Sequence, residues 1–380
     1  MRSQQEIHSI WRRSDRLVLP SLDKNESVDV CVIGGGITGL TVAYELLAEG
    51  RSVALIERNG IPEGESLLTT AHLSTALDEP YSSLRRAHGR EGARLVAESH
   101  EFAIGEIERI VREEQIDCDF TRVPGYLFLA PEDDKETLAK ELEACHDAGL
   151  TGVSYHGSSP SPLFPIGPCL RFPAQARFHA GRYLTGLARA VQSRGGRLYS
   201  YTEALDIENG PAPRVSTNRG FQVVCENLVI ATNTPLGASS LHGKMSPHRS
   251  YVVGLPLPPE RLDESLFWDT SSPSHYVRTV AEETGDQILL VGGEDHRTGT
   301  SPHEDPFREL IRWARERLGV DGNASYRWSG QILVPHDGLA LIGRIPGGES
   351  NTYVVTGHSG SGLTYGTLAA RIIADLLKNR

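Results

Sequence analysis

A glycine-rich turn near residue 34 limits what this chain can fold into more than any other feature. Val28–Ile33 (VDVCVI) is short and apolar, as a buried parallel strand is. It runs directly into three glycines with the spacing GxGxxG, namely Gly34, Gly36 and Gly39. Ile37–Ala48 then predicts a helix closed by Gly50, and Ser52–Ile56 (SVALI) predicts a second strand. The sequence therefore predicts a βαβ unit joined by a turn without side chains.

The order of these segments supplies a reason for the glycines. One glycine makes a tight turn, one lets backbone amides approach a pyrophosphate, and one lets helix and strand pack closely. The phosphates would lie beside Ile37 and Thr38 at the helix N-terminus, where free N–H groups and the helix dipole favour negative charge. Glu57 ends the second strand and is placed for ribose hydroxyls, the alternative being a surface ion pair with Arg58. We therefore expect a dinucleotide site.

The βαβ pattern breaks off after the second strand, unlike the continuous pattern of a nicotinamide dehydrogenase. Gly64–Pro80 is rich in small and hydroxyl residues and predicts irregular backbone. Far along the chain, Phe221–Ile230 predicts a buried strand that returns to the same sheet. Asn351–Thr356, the turn GHSGSG and a helix to Arg380 then repeat the order of strand, glycine turn and helix. These segments indicate a cofactor domain assembled from separate pieces.

Several motifs together carry a resemblance to a known family: VDVCVIGGGITGL with LIER, the TTAHLST loop, LVIATN, DGLALIG and the terminal GHSGSGL. On these motifs the chain resembles the D-amino-acid oxidase and glycine/sarcosine oxidase superfamily of FAD-dependent oxidoreductases over nearly its whole length. SIWRRS, WSGQ and TLAARIIADLL are most similar to the subgroup often followed by a Rieske [2Fe–2S] domain. The sequence has no cysteine–histidine pairs for such a cluster, so we expect that electron relay to be absent or on another polypeptide.

The resemblance implies an α/β fold, α+β overall, in which a discontinuous Rossmann-like FAD-binding domain adjoins a substrate domain with a mainly antiparallel sheet. The expected pieces are 1–85, 160–240 and 333–380 for the FAD-binding domain, and 86–159 and 241–332 for the substrate-binding domain. The sequence agrees in predicting helices at Glu91–Glu114 and Glu132–Ala148 and a strand at Gln287–Val291. FAD is therefore the expected cofactor, and a dehydrogenase that uses only NAD is the less favoured alternative.

The resemblance also implies which residues hold the FAD. Gly360–Gly362 open the last helix, whose amides and positive dipole end would stabilise negative charge near N1 and the C2 carbonyl of the flavin; the alternative is a flexible turn. Some relatives carry a histidyl–flavin bond near Leu68, whereas His72 is expected to be an ordinary polar neighbour. The full set expected at the cofactor is Gly34, Gly36, Ile37, Thr38, Gly39, Glu57, Arg58, Thr69, Thr70, Ala71, His72, Ala204, Ala231, Thr232, Asp337, Gly338, Gly360, Ser361, Gly362, Leu363 and Thr364.

The expected substrate is a small amine or an N-substituted amino acid whose C–N bond is oxidised by hydride transfer to flavin N5. The candidate residues on the substrate side are His275, Tyr276 and Arg278, expected to face the flavin from one strand, with His296 and His358 as second choices. Each has a purely structural alternative. Hydride transfer from a neutral amine needs proximity more than a strong base, so no catalytic base is assigned. The alternative function is an FAD-binding protein with a different redox or regulatory role.

Two departures from the family pattern bear on substrate and electron acceptor. Ile332, in WSGQILVPHDG, occupies the position where amino-acid oxidases have the arginine that binds the substrate carboxylate. No lysine lies between Lys244 and Lys378, although sarcosine-type oxidases place one near the flavin for the reaction with oxygen. Arg278 could substitute electrostatically. The electron acceptor is therefore left open between O2 and an unidentified redox partner.

Composition argues against several other classes of protein. A net charge of −11 disfavours a general affinity for nucleic acid or anionic membranes. The five cysteines lie far apart without a CxxC pair, so neither a metal site nor a disulfide framework is expected. The sequence has no apolar stretch of about 18 residues and no signal-peptide pattern, which predicts a cytoplasmic protein whose N-terminal residues lie as an arm over the fold. The oligomeric state is left open.

Overall fold

The computed structural model describes most of the chain. The described residues are 9–13, 17–158, 161, 166–237, 239–258, 263–282, 284–300, 302, 304–347 and 351–378. Residues 1–8 and 14–16 of the predicted N-terminal arm, and Arg380 of the predicted last helix, lie outside them. Within the arm, Ile10–Arg13 forms a 3-10 helix whose Trp11 is fully buried. That part of the arm therefore packs against the body of the protein.

The elements follow one another in a mixed α/β order. The helices are α1 (Ile37–Ala48), α2 (Tyr81–Glu113), α3 (Lys135–Asp147), α4 (Ala180–Ser193), α5 (Ser239–His242), α6 (Pro306–Leu318) and α7 (Gly362–Lys378). The strands are β1 (Glu26–Ile33), β2 (Val53–Ile56), β3 (His72–Leu73), β4 (Thr121–Phe128), β5 (Ser154–His156), β6 (Cys169–Arg177), β7 (Arg197–Tyr199), β8 (Ala204–Glu208), β9 (Arg214–Thr217), β10 (Gln222–Ile230), β11 (Met245–Leu257), β12 (Leu266–Asp269), β13 (Tyr276–Ala281), β14 (Gln287–Arg297), β15 (Tyr326–Pro335), β16 (Leu341–Arg344) and β17 (Thr352–Thr356).

The first sheet is mainly parallel and has the order β16-β17-β10-β1-β2-β7, with β9 and β8 continuing from β10. In its centre, Ile33 at the end of β1 lies opposite Ile230 of β10 and Ile56 of β2. Because these three strands are parallel, their carboxyl ends meet at one edge of the sheet. The turns that follow them therefore adjoin, which is where a doubly wound sheet binds its ligand.

The second sheet is mainly antiparallel and has the order β15-β11-β14-β13-β12-β4-β6-β3, with β5 beside β6. One face packs on α6, where Val253 and Leu289 share an apolar core with Leu310. On the opposite face, Val252 and Leu290 join the core that contains residues of the first sheet and of α1. The second sheet therefore covers the first, with its inner face turned towards the parallel strands.

The predicted elements recur with small differences in their bounds. The helix predicted at Ile37–Ala48 is α1. The helix predicted at Glu91–Glu114 is the second part of α2, which already begins at Tyr81 and is broken at Gly89 by a non-helical backbone (φ 72°, ψ 176°). Glycine adopts that conformation without the clash of a Cβ atom, so two helical segments meet at this residue. The α/β fold class is confirmed.

The expected division into domains differs from the strand composition of the sheets at two places. The first sheet draws its strands from the three pieces predicted for the FAD-binding domain. However, β3 and β6, which lie inside those pieces, pair in the second sheet, because β6 is bonded antiparallel to both β3 and β4. The domain boundaries themselves stay a prediction.

Candidate functional site

The turn after β1 is packed so closely that side chains do not fit in it. Gly34 has φ +114°, and a Cβ atom there would lie 2.5 Å from the carbonyl oxygen of Ala231. A Cβ atom on Gly39 would lie 1.9 Å from the carbonyl oxygen of Gly34. The Ala231 amide in turn donates to the Ile33 carbonyl at 2.8 Å. The predicted glycines therefore bring the end of β1, the end of β10 and the start of α1 together.

The first turn of α1 is suited to an anion. Gly36 is its N-cap and offers no side-chain cap, and the first turn contains no acidic residue. The hydroxyl of Ser66 accepts a hydrogen bond from the Ile37 amide at 3.0 Å and lies 2.8 Å from where a Cβ on Gly36 would be. Free amides and the helix dipole at this end favour a phosphate. Ser66 was missed from the sequence, although it lies in the hydroxyl-rich segment Gly64–Pro80.

Glu57 is fixed at the end of β2 by backbone amides. Its carboxylate accepts from the Gly35 amide at 2.7 Å and from the Asn59 amide at 2.9 Å. Its carbonyl accepts from Thr202 at 2.8 Å, which ties β2 to the segment that leads into Ala204. Arg58 is exposed, and among the described residues no ion pair joins it to Glu57. The contacts therefore favour the ribose position of Glu57 over the ion-pair alternative.

The glycine turn before α7 lies close to the turn after β1. A Cβ atom on Gly366 would be 2.6 Å from the Thr38 hydroxyl and 3.0 Å from the Ile37 side chain, so α7 packs on the first turn of α1. Leu363 and Thr364 are buried in this contact. Two glycine turns more than 300 positions apart in the chain therefore meet in space.

Gly360 is exposed towards a cleft at this meeting point. Its amide donates to the carboxylate of Asp78, in the segment between β3 and α2. Burial raises the pKa of Asp78, yet its side chain is still exposed, so the carboxylate lines an open cleft deep in the protein. The predicted Gly338 lies nearby, because its φ of +79° brings it to 3.2 Å, measured from a Cβ, from the side chain of Glu79.

The predicted loop Thr69–His72 is held by the N-terminal arm and by β13. The Trp11 indole donates to the Thr69 carbonyl at 2.7 Å. The guanidinium of Arg278 donates to the carbonyls of Ala71 at 2.7 Å and Thr70 at 3.2 Å, as well as to Phe178 at 3.3 Å. Burial lowers the pKa of Arg278 to about 9. Arg278 therefore positions this loop and makes no group available to a substrate.

His72 sits in the same loop as a neutral ring. Burial, followed by the charge of Arg278, lowers the pKa of His72 to about 3. Its Nε2 donates to the Val277 carbonyl at 3.3 Å, and its Nδ1 accepts from the Thr70 hydroxyl at 3.0 Å. Tyr276 lies edge-on to the ring, with centroids 6.0 Å apart. Both ring nitrogens are thus used within the protein.

Tyr276 belongs to a polar group on the inner face of the second sheet. Its hydroxyl is 2.6 Å from that of Ser250 on β11. Asp295 on β14 acts on the same hydroxyl and, with burial, raises the pKa of Tyr276. Burial raises the pKa of Asp295 to about 7, with Asp78 adding to the shift. Asp78 and Asp295 were not among the residues expected from the sequence, because neither belongs to a recognisable motif.

His275 lies on the other face of the sheet, so the expectation that it faces the flavin beside Tyr276 and Arg278 is wrong. Side chains alternate along a strand, which puts positions 276 and 278 on one face and 275 on the other. The His275 ring stacks on Trp313 of α6 at 4.5 Å and bonds Asp269 at 2.9 Å and Glu294 at 3.3 Å. Burial acts to lower its pKa, but these carboxylates outweigh it and raise the pKa to about 9.

The second-choice histidines are separated in the same way. His296 stacks on Tyr251 and so lies on the face that α6 covers. His358 is buried close to Gly360, and burial lowers its pKa to about 4. Ile332 lies opposite His248 of β11. Of the remaining predicted contacts, Ala204 begins β8, the Thr232 hydroxyl bonds the Thr234 carbonyl, and the Asp337 carbonyl accepts from His88.

Other kinds of site find no support in the part of the chain that the structure describes. No group of three or more histidine, cysteine, aspartate or glutamate side chains is arranged to hold a metal ion there. All five cysteines are buried as free thiols. None of the described helices combines the length and the apolar character that a membrane crossing requires.

Comparison with known proteins agrees with this geometry. Residues 29–376 match the family model DAO, described as FAD dependent oxidoreductase. The chain is 32% identical to the putative Rieske 2Fe-2S iron-sulfur protein YhfW of Bacillus subtilis, over 97% of the chain and 72% of that protein. It is 30% identical to the gamma-glutamylputrescine oxidoreductase of Escherichia coli, over 93% of the chain and 85% of that protein.

Solved structures share the fold at lower identity. Glycine oxidase from Geobacillus kaustophilus superposes with a TM-score of 0.74 at 20% identity, covering 94% of this chain and 96% of that one. L-proline dehydrogenase from P. horikoshii gives 0.73 at 18% identity, covering 93% and 94%. The family match favours FAD over the alternative cofactor NAD.

Proposed function

The chain belongs to the family of FAD-dependent oxidoreductases, and from this membership we propose that it oxidises the C–N bond of a small amine or N-substituted amino acid. The observation that carries the proposal is the meeting of the two glycine turns at Gly34–Gly39 and Gly360–Gly362 beneath a polar roof. Relatives named for amine and amino-acid chemistry, gamma-glutamylputrescine oxidoreductase and glycine oxidase, support the same class of substrate.

The residues fit FAD. A Cβ atom would fill the groove beside Gly36, and the uncapped first turn of α1 offers amides to a diphosphate. Glu57 stands where ribose hydroxyls would be bound, and the Gly360–Gly362 amides open α7 towards the cleft. When bound, FAD would supply a hydride acceptor at flavin N5.

The chain's own residues provide position rather than acid–base catalysis. Arg278 holds the Thr70–Ala71 carbonyls, so the loop beneath the second sheet is fixed. His72 is neutral and fully bonded, so it neither attracts nor repels an amine by charge. The amides before α7 would offset negative charge gathered at the ring they face. Orienting a neutral amine in this enclosed cleft supplies the proximity that such an oxidation needs.

The electron acceptor follows from the cations near the cleft. The described part of the chain contains no lysine between Lys244 and Lys378, and Arg278 is bonded to three carbonyls and is not free to replace one. Both observations favour a redox partner over O2 as the acceptor. The cytoplasmic location stays a prediction.

Anaerobic reduction of the purified flavoprotein tests the proposal. The flavin released by acid is expected to be FAD, and its absorbance should bleach on addition of a member of a panel of amines and N-substituted amino acids. Reoxidation should be faster with an artificial electron acceptor than with air. If dithionite reduces the flavin but no amine or amino acid does, the proposed reaction is wrong.

A further inference from the structure

Two carboxylates, Asp78 and Asp295, which we call the acidic pair, face the same cleft from different elements. Asp78 bonds the Gly360 amide at the start of α7, and Asp295 comes from β14 in the second sheet. Both act on the hydroxyl of Tyr276, which is 2.6 Å from Ser250, and each raises its pKa. The acidic pair therefore lies between the predicted flavin seat and the inner face of the second sheet.

No cation of the protein compensates the acidic pair. Within the described residues, no arginine or lysine forms an ion pair with either carboxylate. Arg278, the cation that the same strand supplies, is bonded to the carbonyls of Thr70, Ala71 and Phe178. The positive His275 lies on the outer face, bonded to its own two carboxylates. Two buried carboxylates without a counter-charge are unfavourable, and a cation between them would relieve this.

The same place also holds polar atoms without partners. The Oδ1 atom of Asp295 is buried and has no hydrogen-bond partner among the described residues. Tyr365 on α7 is 5% exposed, and its hydroxyl has no partner within hydrogen-bonding distance there either. Asp78 is the first charged group that acts on this hydroxyl, so Tyr365 points towards the acidic pair. Buried polar atoms left unpaired at a cleft are suited to a ligand with several N–H donors.

We propose that Asp78 and Asp295 bind the ammonium group of a substrate, so that the enzyme takes alkylamines or diamines without a carboxylate at that end. The inference rests on the proposed function and narrows it, because it excludes zwitterionic amino acids held by their carboxylate. A carboxylate in this position would be repelled by the acidic pair. Ile332, at the position aligned with the carboxylate-binding arginine, is apolar and cannot take the opposite role.

The test compares matched probes on the flavin-loaded protein. The amines are 1,4-diaminobutane and butylamine, and the carboxylates are 4-aminobutyrate and sarcosine. Binding is measured by calorimetry and by the perturbation of the oxidised flavin spectrum, and reduction is followed anaerobically. We expect the amines to bind at least tenfold more tightly than the carboxylates. Equal or tighter binding of either carboxylate probe would overturn the inference.

Charge-removing variants separate the acidic pair from its surroundings. Asp295→Asn keeps the shape of the side chain and should weaken 1,4-diaminobutane binding at least tenfold. Glu294→Gln removes one charge at the neighbouring position, on the outer face, and should leave that binding within twofold. Asp78→Asn should also weaken binding, and its FAD content is measured because Asp78 touches Gly360. Unchanged binding in Asp295→Asn would overturn the inference.

The outcomes also distinguish this inference from the proposed function. If the amines bind in an Asp295-dependent manner but reduce no flavin, the ammonium site stands and the proposed oxidation fails. If amino acids alone bind and reduce the flavin, the oxidation stands and the ammonium site fails.

Discussion

Single residues determine whether the cofactor turn can form. Gly39 is the tightest position, since a Cβ atom there would lie 1.9 Å from a backbone oxygen that cannot move aside. Gly39→Ala should destabilise the protein by about 3 kcal/mol, the upper range for overpacking, and lower the FAD content of the purified protein. Thermal unfolding and the ratio of flavin to protein absorbance measure both effects.

Gly105→Ala is the matched control for that substitution. Gly105 lies inside α2, and a Cβ atom there meets nothing within 4 Å. Alanine is favoured over glycine in a helix by about 1 kcal/mol, so this variant should be slightly more stable and keep its FAD. Equal loss of FAD in both variants would contradict the role assigned to Gly39.

A second prediction at this scale concerns the pH dependence of stability. The folded pKa of His275 is about 9, above its ordinary value of 6.5, because of Asp269 and Glu294. Its contribution, on the order of 3 kcal/mol, is therefore complete below about pH 6.5 and is lost as the pH rises to 9. His275→Gln does not titrate, so the fall in its free energy of unfolding across this window should be smaller than in the wild type. Urea unfolding at several pH values measures it, and parallel curves would refute the assignment.

The residues of the site differ in how far the sequence predicts them. Gly34, Gly39 and Glu57 follow from a motif in which each residue has a separate physical reason. Strand alternation alone separates His275 from Tyr276 and was the signal available for that correction. Ser66, Asp78 and Asp295 could not be found, because their positions depend on how distant segments fold onto one another.

At the scale of elements, the contact between α1 and α7 determines the shape of the cleft. Gly366 lets the two helices approach, since a Cβ there would lie 2.6 Å from the Thr38 hydroxyl. Gly366→Val should push α7 away, destabilise the protein by about 1–3 kcal/mol and weaken FAD binding. Arg371→Ala, which removes an exposed pair with Asp375 on the same helix, should change neither by much. FAD titration of the flavin-free variants is the measurement, and unchanged FAD affinity in Gly366→Val would contradict it.

Element type was predicted better than element membership. The apolar runs of β1 and β10 identify buried strands, and the glycine turns give the start of both helices. The placement of β3 and β6 in the second sheet was not predictable, because pairing partners more than 40 residues away decide it. The kink at Gly89 likewise separates two helical segments that the sequence pattern shows only in part.

At the scale of the whole molecule, FAD should stabilise both sheets together, because its seat is made of segments from across the chain. At 100 times its dissociation constant, a ligand adds about 2.7 kcal/mol to the free energy of unfolding. Adding FAD to the flavin-free protein should therefore raise the melting temperature by several degrees, whereas NAD at the same concentration should not. Scanning calorimetry measures the difference, and an equal rise with NAD would contradict the choice of cofactor.

The pairing of β1 and β17 with the same strand, β10, sets an order of events during translation. A nascent chain that has left the ribosome only as far as β10 can join β1, β2 and β10, but it still lacks β17, Gly360 and the helix that packs on Thr38. The flavin ring has no complete seat at that stage. Maturation of the holoenzyme therefore waits until residue 366 and the rest of its helix have emerged, so that cofactor supply is matched to finished chains rather than growing ones.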